Sequence, residues 1–428
     1  MNLHGNVFVR AFVLLLAGSN WDNGTNCRSQ SRNVNNYRWN TNTNISRRAG
    51  VDTGEIESVG NSWLNTRALS KGKIQRRRMC LVSKATENQA HQTIMKRYGN
   101  LYGKITDIEN IRSAYEKAKK GKSWQNTVQK FEANLEENLL GIQKMLIDKT
   151  YQTSGYVTKK IYEPKERLIY KLPFAPDRIV QHAIMNILEP IWEKLFISDS
   201  YACRKNKGIH AGSKKTIEYV RRNKYCLKGD MAKFYPSMNH DVLYKIICRK
   251  IKDQDVLDLL KNIIYSIGGE TNVPIGNYTS QWFGNLYLNE LDQRVKNVYK
   301  IKDYIRYCDD FLLFSNDKDL LHNILIDMEI FINTELKLKL SKKDIFQVSR
   351  GVDFLGYRHF RKFILLRKST TKRVKKRIKQ LPYLYNNGIV TRDQFRSSLA
   401  STLGWMKWAN CYNLRQKLGI DKLIHETL

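Results

Sequence analysis

Long hydrophobic runs are missing from this chain. No stretch of about 18 apolar residues occurs, so no segment is suited to crossing a bilayer as a helix. The seven cysteines (Cys27, Cys80, Cys203, Cys226, Cys248, Cys308 and Cys411) include no CxxC pair. Neither a zinc ribbon nor a disulfide framework is therefore indicated, and the odd number fits a reducing, cytoplasmic setting. Acidic residues are scarce: 40 Asp and Glu face 74 Lys and Arg, for a net charge of +34. A charge that large opposes compaction unless a polyanion shares the surface, so nucleic acid is the natural partner and an anionic membrane surface the rival. What is present includes 42% hydrophobic residues, enough for a substantial core in a chain of 428 residues.

The chain changes texture along its length. Residues 1–94 contain an Asn-rich stretch with nine asparagines between Asn20 and Asn44 and no helical or strand period, which reads as a low-order extension. Within it, Ala11-Phe-Val-Leu-Leu-Leu-Ala17 imitates a short signal peptide, although secretion is disfavoured. Residues 95–150 form a helical region, with apolar positions at helical spacing over 105–120 and 126–147. Residues 151–360 mix strands and helices. The expected elements are a hairpin of 156–161 with 167–172, an amphipathic helix over 175–196, a strand ending at Asp230, helices after Asn239 and Asp253, and a long helix from about Tyr278. A second hairpin, 304–307 with 311–314, precedes a helix over 318–336 and short strands near 354–366. Residues 361–428 form a basic helical region; from 341 to the end, 20 Lys and Arg face 5 Asp and Glu. There Val374 and Ile378 line one face of a helix whose exterior carries Lys372, Arg373 and Lys376, positions suited to phosphate contact.

Two sites carry the chemistry. Asp230 ends an apolar strand, and Asp309 and Asp310 occupy the turn of the second hairpin. Adjacent carboxylates in a turn between apolar strands are hard to justify without a cation. Nucleotidyl transfer needs two divalent cations about 4 Å apart, held by carboxylates because hard cations take oxygen ligands. A lone Asp at a strand end is more often a cap; two such sites with these flanks are not.

Those residues resemble reverse transcriptases. Tyr307-Cys308-Asp309-Asp310 is similar to the YxDD signature, and Asp230-Met-Ala-Lys-Phe-Tyr235 to the first carboxylate motif. Arg167 to Leu172 and Ser200-Tyr-Ala-Cys-Arg204 are similar to finger motifs, Gly276 to Gln281 to the segment before the long palm helix, and Leu336 to Lys343 and Phe354-Leu-Gly-Tyr357 to the motifs closing the palm. The resemblance covers about residues 150–360. It implies an α+β right-hand polymerase with fingers, a palm bearing a small antiparallel sheet, and a helical thumb. It implies two Mg2+ ions on Asp230 and Asp309, with the Met231 carbonyl as a further ligand and Asp310 as a weaker contributor. Tyr235 would exclude a ribose 2′-hydroxyl, with simple core packing as the alternative. Arg167 and Arg204 would reach triphosphate or template, Lys342 or Lys343 would give a proton to pyrophosphate, and Gly276 would let backbone approach the base pair. Tyr307 and Phe354, Leu355, Gly356 and Tyr357 would hold primer and template. Template RNA, a cDNA primer–template duplex and deoxynucleotides are the implied partners.

The segment around Gly276 departs from the usual pattern. Ile275 precedes it where many such enzymes carry glutamine, and Ser280-Gln281 replaces Ser-Pro. That variant resembles the reverse transcriptases of diversity-generating retroelements, which implies miscopying of template adenines and a small basic accessory variability determinant protein. Residues 18–44 look like a translated template repeat, because asparagine codons begin with two adenines; Met79 or Met95 would then begin the working polypeptide. A group II intron-type or retron reverse transcriptase is the runner-up, and a non-catalytic RNA-binding protein is the rival from another class.

Overall fold

The computed structural model describes residues 96–162 and 166–425. The Asn-rich extension and its reading as a template repeat lie outside the described residues.

Four helices open the described chain: Tyr102–Ile105, Ile108–Lys119, Asn126–Ala133 and Leu135–Ile147. The expected helix over 105–120 is broken because Asp107 acts as an N-cap, its carboxylate accepting from the Glu109 N–H at 2.8 Å. Such a cap stabilises a helix by about 1 kcal/mol. Ile111, Ala114, Tyr115 and Ala118 then fall on one buried face. That face packs on the helix Ile179–Glu193, which is shorter than expected because a π-turn, Phe174–Arg178, leads into it. Strands β1 (Val157–Ile161) and β2 (Arg167–Lys171) form the first hairpin as expected.

The central sheet runs β4–β5–β3–β6, all neighbours antiparallel, with β3 Tyr225–Met231, β4 Tyr304–Tyr307, β5 Asp310–Ser315 and β6 Leu340–Gln347. Sequence patterning did not mark β6 as a strand. It lies at the sheet edge with the polar pattern Leu-Ser-Lys-Lys-Asp-Ile-Phe-Gln, so it lacks the apolar alternation of a covered strand. The helix Ile209–Arg222 also escaped notice. Its buried face interleaves Ile209, Ile217, Tyr219 and Val220 with Gly212, Ser213 and Thr216, small residues that hydrophobic periodicity does not count. Close packing dictates them: a Cβ on Gly212 would come 2.7 Å from Leu355 Cδ1.

The sheet separates two cores. On one side lie Leu227, Met231, Phe311 and Leu313 with the helices Tyr278–Gln293 and Lys318–Thr334. Tyr278–Gln293 is buried almost all round, as befits a helix at the centre of a domain. On the other side lie Cys226, Ile305, Leu312 and Phe314 with a small sheet, β7 (Val352–Phe354), β8 (Tyr357–His359) and β9 (Ile364–Leu366), and the terminal helices. Those helices are Lys368–Asn386, Arg392–Met406, Tyr412–Lys417 and Ile420–His425. In the first, Val374, Ile378 and Leu381 are buried while Lys372, Arg373 and Lys376 are exposed, matching the expected basic exterior. The arrangement is the α+β right hand that the motifs implied. Among the described residues no helix is long and apolar enough to cross a membrane.

Candidate active site

Register brings the acidic residues together. Asp230 pairs directly with Asp310 across β3 and β5, and Tyr307 pairs with Asp310 to close the β4–β5 turn around Cys308 and Asp309. Directly opposed residues place their Cβ atoms about 4.5–5.5 Å apart on one face, so Asp230 and Asp310 are immediate neighbours. Cys308 adopts φ 53°, the left-handed region that lets so short a turn close. Gly229 precedes Asp230 because the Phe311 ring lies over it; a Cβ there would meet Phe311 Cζ at 2.1 Å.

The cluster is electrostatically unbalanced. Burial pushes the Asp309 carboxyl up to about 6, and the charges of Asp230 and Asp310 push the same way, with Arg167 opposing. Asp310 is raised by burial and by Asp230, against Lys228, Arg367 and Lys342. The Ser341 hydroxyl donates to Asp230 Oδ2 at 2.8 Å. Among the described residues no group of three or more His, Cys, Asp or Glu side chains is placed to hold a metal ion by itself. An all-oxygen donor set with excess negative charge nevertheless fits Mg2+, which keeps waters and substrate oxygens in its shell rather than being caged by protein alone. Asp230, Asp309 and the Met231 carbonyl are the atoms that would hold it.

Strand alternation distinguishes the two lysines. Lys342 pairs with Asp230 and shares its face, whereas Lys343 pairs with Gly229 and points to the other side. There Lys343 Nζ donates to Glu329 Oε1 at 2.7 Å. Tyr235 lies near the Cys308–Asp309 turn: burial raises its hydroxyl well above the usual value, and Cys308, Cys203 and Asp309 add to the shift. Gly284 of the long helix makes room for it, since a Cβ there would lie 3.2 Å from Tyr235 Oη. Arg167 begins β2, and its charge opposes the rise at Asp309.

Other expected residues are used differently. Arg204 is buried; it donates to Glu193 Oε1 at 2.8 Å and to the carbonyls of Ile197 and Ser200 at 2.5 and 3.0 Å. Those contacts make it a brace for the loop, and the expected phosphate contact does not fit them. Gly276 has φ 141°, and a Cβ would lie 1.9 Å from the Tyr170 carbonyl oxygen. The close approach it permits is therefore to finger backbone; Ile275 accepts from the Tyr170 N–H at 2.8 Å in the same contact. Gln281 is half-buried in the first turns of the long helix. Phe354 and Tyr357 are fully buried, Tyr357 stacking on Trp405 at 5.5 Å, so Leu355 and Gly356 form the turn between them. Tyr307 is likewise buried.

Sequence patterning missed what holds the turn. Arg306 is fully buried and grips Asp292 through both oxygens, Nε to Oδ1 at 2.8 Å and Nη2 to Oδ2 at 2.6 Å. Its Nη1 donates to the Cys308 carbonyl at 3.0 Å, one residue before Asp309. Tyr304 adds a hydrogen bond to Asp292 at 2.6 Å. The only sequence sign was an arginine inside an otherwise apolar strand, a residue rarely buried without a partner.

Paired carboxylates on adjoining strands, a basic finger residue and a phenol beside them define the class: a palm-type nucleotidyl-transfer site. Residues 157–359, just under half of the chain, match the family described as "Reverse transcriptase (RNA-dependent DNA polymerase)". The chain carries a reverse transcriptase domain. It is 28% identical to "Protein YkfC" of Escherichia coli K12, in an alignment covering 48% of this chain and 67% of that protein. It is 23% identical to "Group II intron-encoded protein LtrA" of Lactococcus lactis subsp. cremoris, covering 52% of this chain and 49% of that protein. The chain thus spans about half the length of LtrA. A telomerase from Candida albicans bound to a fragment of telomeric RNA aligns with a TM-score of 0.40 and 14% identity, over 61% of this chain and 56% of that one. That likeness is too distant to draw on.

Proposed function

We propose that this protein extends a DNA primer on an RNA template at the edge formed by Asp230, Asp309 and Asp310. The observation carrying the reading is the direct Asp230–Asp310 pairing beside a turn whose Asp309 carboxyl is pushed up to about 6. Divalent cations bound there would activate the primer hydroxyl and neutralise the leaving pyrophosphate. Arg167 steadies the triphosphate with a guanidinium fork. Lys342, on the carboxylate face, is placed to protonate pyrophosphate, while Lys343 is held by Glu329. The Tyr235 ring closes the space beside a ribose 2′-hydroxyl. Lys372, Arg373 and Lys376 offer exposed charge to the duplex backbone. Primer extension on RNA tests the reading: wild type synthesises DNA and Asp309→Asn does not. An RNA-binding protein without activity would give no product with either. Tyr235→Ala should admit ribonucleotides, lowering sugar discrimination by about 10²-fold.

Within that activity, Ile275 and Gln281 in the segment around Gly276, together with the Asn-rich residues 18–44, favour an enzyme of a diversity-generating retroelement. It would copy a template-repeat RNA with errors at adenines and work with an accessory variability determinant protein. The similarity to LtrA favours a group II intron-type enzyme instead. Sequencing the cDNA separates them: errors concentrated opposite template adenines support the first, and errors spread evenly over the bases support the second.

A further inference from the structure

The segment around Gly276 is hydrogen-bonded on two sides to parts of the chain far away in sequence. On the palm side, the Val273 N–H donates to the Tyr235 carbonyl at 3.0 Å, and the Asn272 N–H to the Met238 carbonyl at 3.1 Å. On the finger side, the Ile275 carbonyl accepts from the Tyr170 N–H, and three more bonds join it. Asn272 Nδ2 donates to Tyr170 Oη at 2.9 Å, Asn277 Nδ2 to Tyr156 Oη at 2.8 Å, and the Tyr278 N–H to Gln181 Oε1 at 2.8 Å. Tyr156 also packs edge-on against Tyr170, with ring centroids 5.7 Å apart.

Neighbouring groups fix the direction of the Asn277 bond. Ser266 Oγ gives its proton to the Ile263 carbonyl at 2.7 Å, so Tyr156 Oη, 2.8 Å away, donates to Ser266 and accepts from Asn277. Asn277 stands at the N-cap of Tyr278–Gln293, where an asparagine ordinarily accepts from the first turn of its own helix. Here it makes no such bond, and its Oδ1 is enclosed without a partner. Gln181, buried on Ile179–Glu193, takes the Tyr278 N–H instead, and its own Nε2 is enclosed without a partner. Unpaired polar atoms in an interior are costly, and such local conflicts persist where placement matters more than stability. We infer that Tyr156 and Gln181 are positioning residues for nucleotide selection: without touching the nucleotide, they hold the segment 272–278 and, through it, the Tyr235 backbone. The inference rests on the polymerase reading above, in which the Tyr235 ring closes the space beside a ribose 2′-hydroxyl.

The test compares the full chain as wild type, Tyr156→Phe, Gln181→Met and Gln181→Glu, by single-nucleotide primer extension on RNA and by amide hydrogen exchange. Tyr156→Phe removes one hydroxyl and keeps the ring packed on Tyr170, and Gln181→Met removes the acceptor at similar volume. Each should raise the KM for deoxynucleotides about tenfold, with kcat within about twofold of wild type. The preference for deoxy- over ribonucleotides should weaken as well. Amides of residues 272–278 should exchange about tenfold faster, and those of the helix Lys318–Thr334 as in wild type. Gln181→Glu keeps an oxygen opposite the Tyr278 N–H and should recover most of the wild-type KM. A lower kcat at unchanged KM, the mark of a smaller folded fraction, overturns the assignment. So does unchanged exchange in the segment, or a Gln181→Glu protein whose KM is no better than that of Gln181→Met. Wild type that extends no primer, with variants whose segment still exchanges faster, would instead sink the polymerase reading and leave the clamp standing.

Discussion

Two buried ionic groupings share the β4 strand and the turn after it, and only one is balanced. Arg306 and Asp292 neutralise each other with bidentate geometry, and Tyr304, Asn285 and the Cys308 carbonyl satisfy the remaining groups. Three residues on from Arg306, Asp309 and Asp310 sit against Asp230 with their carboxyls held above the usual range. The contrast separates two uses of buried charge. Charge the scaffold needs is paired internally; charge left unpaired is reserved for a ligand.

The comparison breaks first at Asp309. Asp309→Asn should cut DNA synthesis on the order of 10³-fold or more, while the melting temperature of the metal-free protein holds or rises because repulsion is relieved. A large drop in melting temperature would put Asp309 among the scaffold charges. The balanced pair should behave in the opposite way. Asp292→Asn leaves Arg306 buried and uncompensated, costing about 3–5 kcal/mol, which denaturant titration would read as a lower midpoint. The β6 lysines sharpen the same distinction. Lys342→Ala should lower kcat by about 10²-fold, whereas Lys343→Ala, which breaks an exposed pair with Glu329, should cost under about 1 kcal/mol of stability and little activity. Equal effects on kcat would remove the facial argument.

The smallest effect is a pH dependence. Lys122 is lowered in the folded protein to about 8 by burial and by the charge of Arg178. Between that value and its unfolded value near 10.5, the folded state has released a proton that the unfolded state keeps. Stability from this group therefore rises with pH across that window, and its cost is fully present below it. In the absence of RNA, Lys122→Met should melt higher than wild type at neutral pH, the gap closing as pH rises towards 10.5. A gap that stays constant would mean that Lys122 carries no such cost.

Much of the site was legible in the sequence because its signals are local. Asp230 at the end of an apolar strand, and Asp309 and Asp310 between two apolar strands, announce themselves without knowledge of the fold. The hairpins and the Asn239 and Asp253 caps did so too, each cap accepting from the residue three ahead. Arg204 misled because an arginine in a finger motif looks the same whether it faces solvent or loop carbonyls. The helix Ile209–Arg222 escaped notice although Ile209, Ile217, Tyr219 and Val220 are buried on it, because Gly212, Ser213 and Thr216 interrupt that apolar face.

By itself the sequence determined the chemistry: which carboxylates, in which turn, with which basic surroundings, since residue type and immediate neighbours specify these. Tertiary structure alone decided the partnerships. Strand register put Lys342 rather than Lys343 beside Asp230, and burial paired Arg306 with Asp292. Each depends on which distant segments meet, and no local pattern records that.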